Sequence, residues 1–176
     1  ALCHMVASLT LGKKKYKTAE PFMADIKGTS CSLQKELIKQ VDEDSLAYNR
    51  VFDAFKLPQT TPAEIKIRKH AIQDALKAAA WIPFYTLETA ASALSLVETT
   101  VEKGNSNCIT DAGVAAELIA AAVQGAAYNV FINLMDIKDE AFCSDLRQKV
   151  FIIKQDIHGR TNQIRKTIEQ SIYMES

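Results

Sequence analysis

From Phe22 to Phe55 the chain carries no proline, and apolar side chains return every three or four residues along it. One uninterrupted helix over that stretch is the expectation that most constrains the fold. Leu57-Pro58 ends it, because the residue ahead of a proline is pushed out of the α region. Thr61-Pro62-Ala63-Glu64 then supplies a helix start, with Thr61 as N-cap, Pro62 in the first helical position and Glu64 completing a capping box. This third helix reaches about Trp81, and Pro83 separates or kinks it from a fourth that runs to Lys103 before Gly104. A first helix, about Leu2 to Lys14, precedes them. After the polar loop Asn105 to Cys108, Thr110 or Asp111 caps a fifth, about Ala112 to Met135. Asp136 and Asp139 open a sixth that reaches Tyr173, with a weak point at Gly159. Six glycines and four prolines are too few for the turns of a sandwich or barrel. The expectation is one all-α domain over residues 1–176, a bundle of about six helices.

Charge narrows the partners. Lysine plus arginine equals aspartate plus glutamate, 21 against 21, so no global field draws the chain to nucleic acid or an anionic membrane. An anionic ligand has to be held locally. The four cysteines are scattered without C-x-x-C spacing, and the three histidines show no metal-ligand rhythm, which points to a reducing, cytoplasmic setting and no metal. Ala1 to Leu11 is apolar but lacks the positive flank of a signal peptide, and no unbroken apolar run approaches the roughly 20 residues that span a bilayer. The sequence enters a helical pattern directly at Ala1, from which a preceding segment is expected.

Three groups of residues offer chemistry. Leu37, Val41, Tyr48, Phe52 and Phe55 form one stripe of the second helix, and the same 4-3-4 rhythm places Asp44 within it. A carboxylate held among apolar neighbours has its pKa raised by desolvation and suits general acid-base work; a structural ion pair fits the same pattern. In the fifth helix Asn129 and Asn133 lie four apart on a face with Gly125 and small residues, either gripping a ligand rich in donors and acceptors or bonding to a neighbouring helix. Asn105, Asn107 and Asp111 gather at the start of that helix, where loop capping explains much of the cluster. Lys13, Lys14 and Lys15 attract a polyanion or simply favour a helix C-terminus. Trp81 with Phe84 and Tyr85 reads as an aromatic corner in the core.

Taken in order, Leu9-Thr10 with Gly12-Lys13-Lys14-Lys15-Tyr16, Val41-Asp42-Glu43-Asp44, Lys56-Leu57-Pro58, Gly104 to Asn107 through Asp111-Ala112-Gly113, and Asn129-Val130 with Ile132-Asn133-Leu134 resemble one family. It is the cyclodeaminase domain of formiminotransferase-cyclodeaminase, together with the stand-alone bacterial cyclodeaminase and cyclohydrolase proteins. The resemblance covers almost the whole chain, although a glycine-rich segment that the family carries ahead of Ala1 is missing. It implies a helical homodimer acting on tetrahydrofolate derivatives, with Asp44 as acid-base residue. Asn105, Asn107, Asp111, Asn129 and Asn133 are then candidates for pterin or formimino contacts, and Lys13 and Lys14 for the glutamate tail of a polyglutamylated substrate. No cofactor beyond the folate is implied. Cyclodeamination of formimino-tetrahydrofolate is the expected reaction, with methenyl-tetrahydrofolate hydrolysis and a non-catalytic helical or folate-binding module as alternatives.

Overall fold

A computed structural model describes residues 1–173 and contains six α-helices there: α1 Leu2–Thr10, α2 Glu20–Phe55, α3 Pro62–Ser92, α4 Leu94–Lys103, α5 Ile109–Asn133 and α6 Glu140–Tyr173. Short 3-10 turns, Lys14–Ala19 and Ser106–Cys108, precede α2 and α5. No strand occurs among the described residues, so the all-α bundle stands.

Several boundaries follow the local chemistry read from the sequence. Thr61 Oγ1 accepts the Glu64 N–H at 3.2 Å, while Glu64 Oε2 accepts the Thr61 N–H at 2.8 Å, closing the expected capping box. Asp139 Oδ1 accepts the Phe142 N–H at 3.0 Å at the start of α6. Gly159 leaves α6 unbroken.

Others differ. α1 stops at Thr10 instead of Lys14, because Leu11 turns extended and Gly12 adopts φ 78°, a left-handed conformation that glycine enters at no steric cost. Lys13 and Lys14 therefore stand on the link to α2. Pro83 lies inside α3, and the chain turns only at Ala93. Proline's φ is compatible with a helix; its cost is the lost N–H and the carbonyl left unpaired one turn back. Here that carbonyl, Ala79 O, accepts the Asn133 side-chain N–H from α5 at 3.0 Å. The α3–α5 contact supplies the donor that Pro83 lacks, so the helix continues. Neither Thr110 nor Asp111 caps α5, whose N-cap is Cys108 with no side-chain hydrogen bond.

α5 is the central helix, touching α1, α3, α4 and α6. Its buried face of Ala112, Ala116, Val123, Ala127 and Val130 meets Leu87, Leu94, Leu146 and Val150 in the core. Ion pairs fasten α6: Arg160 binds Glu98 of α4 through two nitrogens at 2.7 Å, and Arg165 binds Glu117 of α5. The stretch Ser106–Asn133 is long and apolar enough to cross a membrane, with a mean hydropathy of 1.4 in its best window. A search for unbroken apolar runs misses it because Asp111 and Glu117 interrupt the sequence, yet within the bundle one side of this helix is packed against four others.

Candidate functional site

The stripe that carries Asp44 begins under α1. Met23, Ile26 and Ser30 are buried in the N-terminal half of α2, where the His4 Nδ1–H donates to the Lys27 carbonyl at 3.2 Å and holds α1 across it. The same helical phase continues through Leu37, Val41, Asp44, Tyr48, Phe52 and Phe55. α1 begins at Leu2. Below that point the stripe is open: Val41 is 66% and Tyr48 69% exposed, and Asp44 is exposed with them. This corrects the expectation of a carboxylate held away from water on the inward face of the helix. The side of this half of α2 that is buried carries Gln40, Ala47 and Ala54 instead, so the periodicity of the large apolar residues selected a face that does not point inward.

The uncovered stripe borders a groove of about 500 Å³. Leu33, Leu37 and Val41 of α2 form one wall, Ala115 and Leu118 of α5 the other, with Ala93 and Leu96 between them and Ala1 to Cys3 closing one end. Such a volume suits a small ligand. Burial pushes the Cys3 thiol above its ordinary pKa, which makes it a poor nucleophile. Asp44 stands one helical turn beyond Val41 on the same side, with no hydrogen-bond or ion-pair partner among the described residues. Neighbouring Glu43, by contrast, pairs with Lys39 at 2.8 Å.

The remaining candidates divide between exposed positions and positions held in structural hydrogen bonds. Asn129 is exposed on α5, its side-chain N–H bonded to Gly125 O of its own helix at 3.3 Å. Asn133 turns toward α3 and commits its donor to Ala79 O. Asn105 is 6% exposed and pegs the α4–α5 loop to α1. Its backbone N–H donates to Thr10 Oγ1 at 2.9 Å and its side-chain N–H to Leu9 O at 3.4 Å. Its Oδ1 accepts the Tyr16 hydroxyl and the Asn107 N–H. The Ser106 hydroxyl and N–H both meet the Tyr16 oxygen, holding that phenol below its ordinary pKa. Gly104 allows the loop this close approach, since a Cβ there would stand 2.4 Å from Thr100 O and 3.2 Å from Val6. Asn107, Lys13 and Lys14 around this peg are exposed, and Asp111 is half-buried.

Tyr16 and Ser106 were missed from the sequence, although their position beside Lys13 to Lys15 and Asn105 to Asn107 was the available signal. Among the described residues no group of three or more His, Cys, Asp or Glu side chains converges as a metal-ligand set would. What the structure brings together is thus two assemblies: a carboxylate with a nearby apolar groove, and a cationic, amide-rich end around Asn105.

Comparison with known proteins agrees across the chain. The family described as formiminotransferase-cyclodeaminase matches residues 1–151. A methenyltetrahydrofolate cyclohydrolase of Methylorubrum extorquens is 32% identical over 172 residues, covering 98% of this chain and 83% of that protein. A formimidoyltransferase-cyclodeaminase of Gallus gallus is 35% identical over 150 residues, covering 85% of this chain but 28% of that longer protein. The crystal structure of a formiminotetrahydrofolate cyclodeaminase from Thermotoga maritima superposes with a TM-score of 0.84 at 29% identity, covering 97% of this chain and 81% of that one. With its family match extending over most of its length, this chain belongs to the formiminotransferase-cyclodeaminase family.

Proposed function

We propose that this chain is a folate one-carbon enzyme, a formimino-tetrahydrofolate cyclodeaminase that releases ammonia and forms methenyl-tetrahydrofolate. The observation that carries the reading is an unpartnered carboxylate, Asp44, within an apolar stripe one turn from a ligand-sized groove, in a chain similar throughout to a solved cyclodeaminase. In the reaction the aniline nitrogen of the substrate attacks the formimino carbon. Asp44 takes the proton from that nitrogen and returns it to the amine, which leaves as ammonia. The one-carbon unit keeps its oxidation level, so neither a redox cofactor nor a metal is required. The setting is cytoplasmic and the working form a homodimer.

A second reading is hydrolysis of methenyl-tetrahydrofolate, favoured by the similarity to the Methylorubrum cyclohydrolase over nearly the whole chain. Asp44 would then activate water. The test follows the near-ultraviolet absorbance of methenyl-tetrahydrofolate after adding either folate. Its appearance from formimino-tetrahydrofolate supports cyclodeamination, its enzyme-dependent loss supports hydrolysis, and silence in both supports a non-catalytic module.

Lys13 and Lys14, exposed and free of acidic partners among the described residues, suit the glutamate tail of a polyglutamylated folate. The double Lys13→Ala, Lys14→Ala change is expected to raise KM for the polyglutamate by about tenfold, and less for the monoglutamate, because removing two screened surface charges removes about 1.4 kcal/mol of attraction. Equal losses for the two substrates would reject the tail assignment.

A further inference from the structure

The seam between α5 and α6 carries charge of one sign. Arg147, Phe151, Lys154, His158 and Arg165 recur every three or four residues along α6 and so share a side. Across the seam α5 holds one charged residue from Ala112 to Asn133, Glu117, and Arg165 binds it at 2.7 Å. Asp156, the acid nearest Lys154 in sequence, turns to Arg160 at 3.1 Å. Lys154 is therefore half-buried without an acidic partner among the described residues. In a chain with 21 basic and 21 acidic residues, this seam is a local excess of positive charge.

A cavity of about 520 Å³ opens there. Its floor is apolar, with Val123 and Ile157 buried, and Lys154, His158 and Gln124 line it without any carboxylate. The neighbours of His158 fix its tautomer. Asn162 Oδ1 accepts an Arg165 N–H at 2.7 Å, which leaves the Asn162 amide nitrogen to donate to His158 Nε2 at 3.0 Å. With Nε2 accepting, the neutral ring carries its hydrogen on Nδ1, a donor with no partner among the described residues. Phe151, 58% exposed, adds a flat apolar surface beside these groups. Gly159 borders the same cavity. A Cβ there would meet nothing within 4 Å and its φ is not positive, so neither packing nor a turn calls for glycine in this helix interior, where it weakens the helix. What the missing side chain leaves is room beside the cavity.

We propose that this cavity binds an aromatic carboxylate, its carboxylate between Lys154 Nζ and His158 Nδ1–H and its ring against Phe151 over Val123 and Ile157. An apolar lining with a few converging polar groups is the ordinary composition of a small-molecule site. The two halves of the lining select the two halves of the ligand. An inorganic anion would leave the apolar floor unused, and a neutral aromatic would cover Lys154 without a counter-charge, which costs the desolvation of an unpaired cation. One ammonium and one neutral N–H match the single charge and two oxygens of a carboxylate. No residue of this cavity lines the groove between α2 and α5, so the proposal stands or falls independently of the folate reading.

Titration with 2-naphthoate, followed by its fluorescence, tests the site. The wild-type chain is expected to bind one molecule per chain saturably. Lys154→Met keeps the length of the stem and removes the charge, and is expected to weaken binding about tenfold, whereas Lys154→Arg stays within about threefold of wild type. Gly159→Leu fills the space beside the cavity and is expected to abolish binding while circular dichroism stays helical. The neutral analogue 2-naphthalenemethanol is expected to bind at least about tenfold more weakly than the carboxylate. Equal 2-naphthoate affinity in wild type, Lys154→Met and Gly159→Leu puts the probe elsewhere on the molecule and overturns the proposal. So does an alcohol that binds as tightly as the acid, or a wild-type titration that shows no saturation up to about 5 mM.

Discussion

Asp44→Asn is expected to lower turnover about a thousandfold, within the range that a positioned general acid-base contributes, and to leave the fold intact. Position 44 is exposed and makes no contact that amide would break, so unfolding free energy is expected to change by less than about 0.5 kcal/mol. The separation of the two effects is the point of the experiment. Loss of turnover with unchanged denaturation identifies a chemical role, whereas full turnover in a folded variant removes Asp44 from the mechanism. The substitution keeps the shape and hydrogen-bonding capacity of the side chain and removes only its ability to accept and return a proton.

Asn133→Ala is expected to do the reverse, costing about 2 to 3 kcal/mol of stability with little effect on turnover per folded molecule. Ala79 is buried, and Pro83 cannot donate to its carbonyl, so the Asn133 amide is the donor that this oxygen has. Removing it leaves a desolvated acceptor. In a Pro83→Ala background the backbone N–H of position 83 becomes available to Ala79 O, and the same Asn133→Ala change is expected to cost about 1 kcal/mol or less. Urea midpoints of the four proteins, at constant m, measure the coupling. An equal penalty in both backgrounds would show that Asn133 does something other than compensate for the proline, and would return it to the ligand candidates.

The helices were legible because their signals are local. Thr61, Pro62 and Glu64 are sufficient for a capping box wherever the rest of the chain goes, and Asp139 caps α6 on the same terms. That Pro83 does not separate two helices was not legible because the compensation for it lies 50 residues away in Asn133, and the turn at Ala93 has no glycine or proline to announce it. At the site, the structure shows Asn105 pegging a loop and Asn133 bonding between helices, contacts with distant residues that spacing along the chain does not reveal. Asp44 shows the opposite limit. Its stripe is visible in the spacing of Leu37, Val41 and Tyr48, but helical phase states which residues share a side and not what lies against that side.

The uneven packing of α2 has a consequence for motion along it. α1 lies against the first half of α2, where Met23, Ile26 and Ser30 are buried. Backbone amides from Glu20 to about Ser30 are shielded by α1, while the stretch from Val41 to Phe55 exposes Val41, Tyr48, Phe52 and Phe55 to water. Opening free energies should fall along the helix, and deuterium uptake should rise, from its first turns to its last. A ligand bound along the second half would then register first as slowed exchange around Asp44.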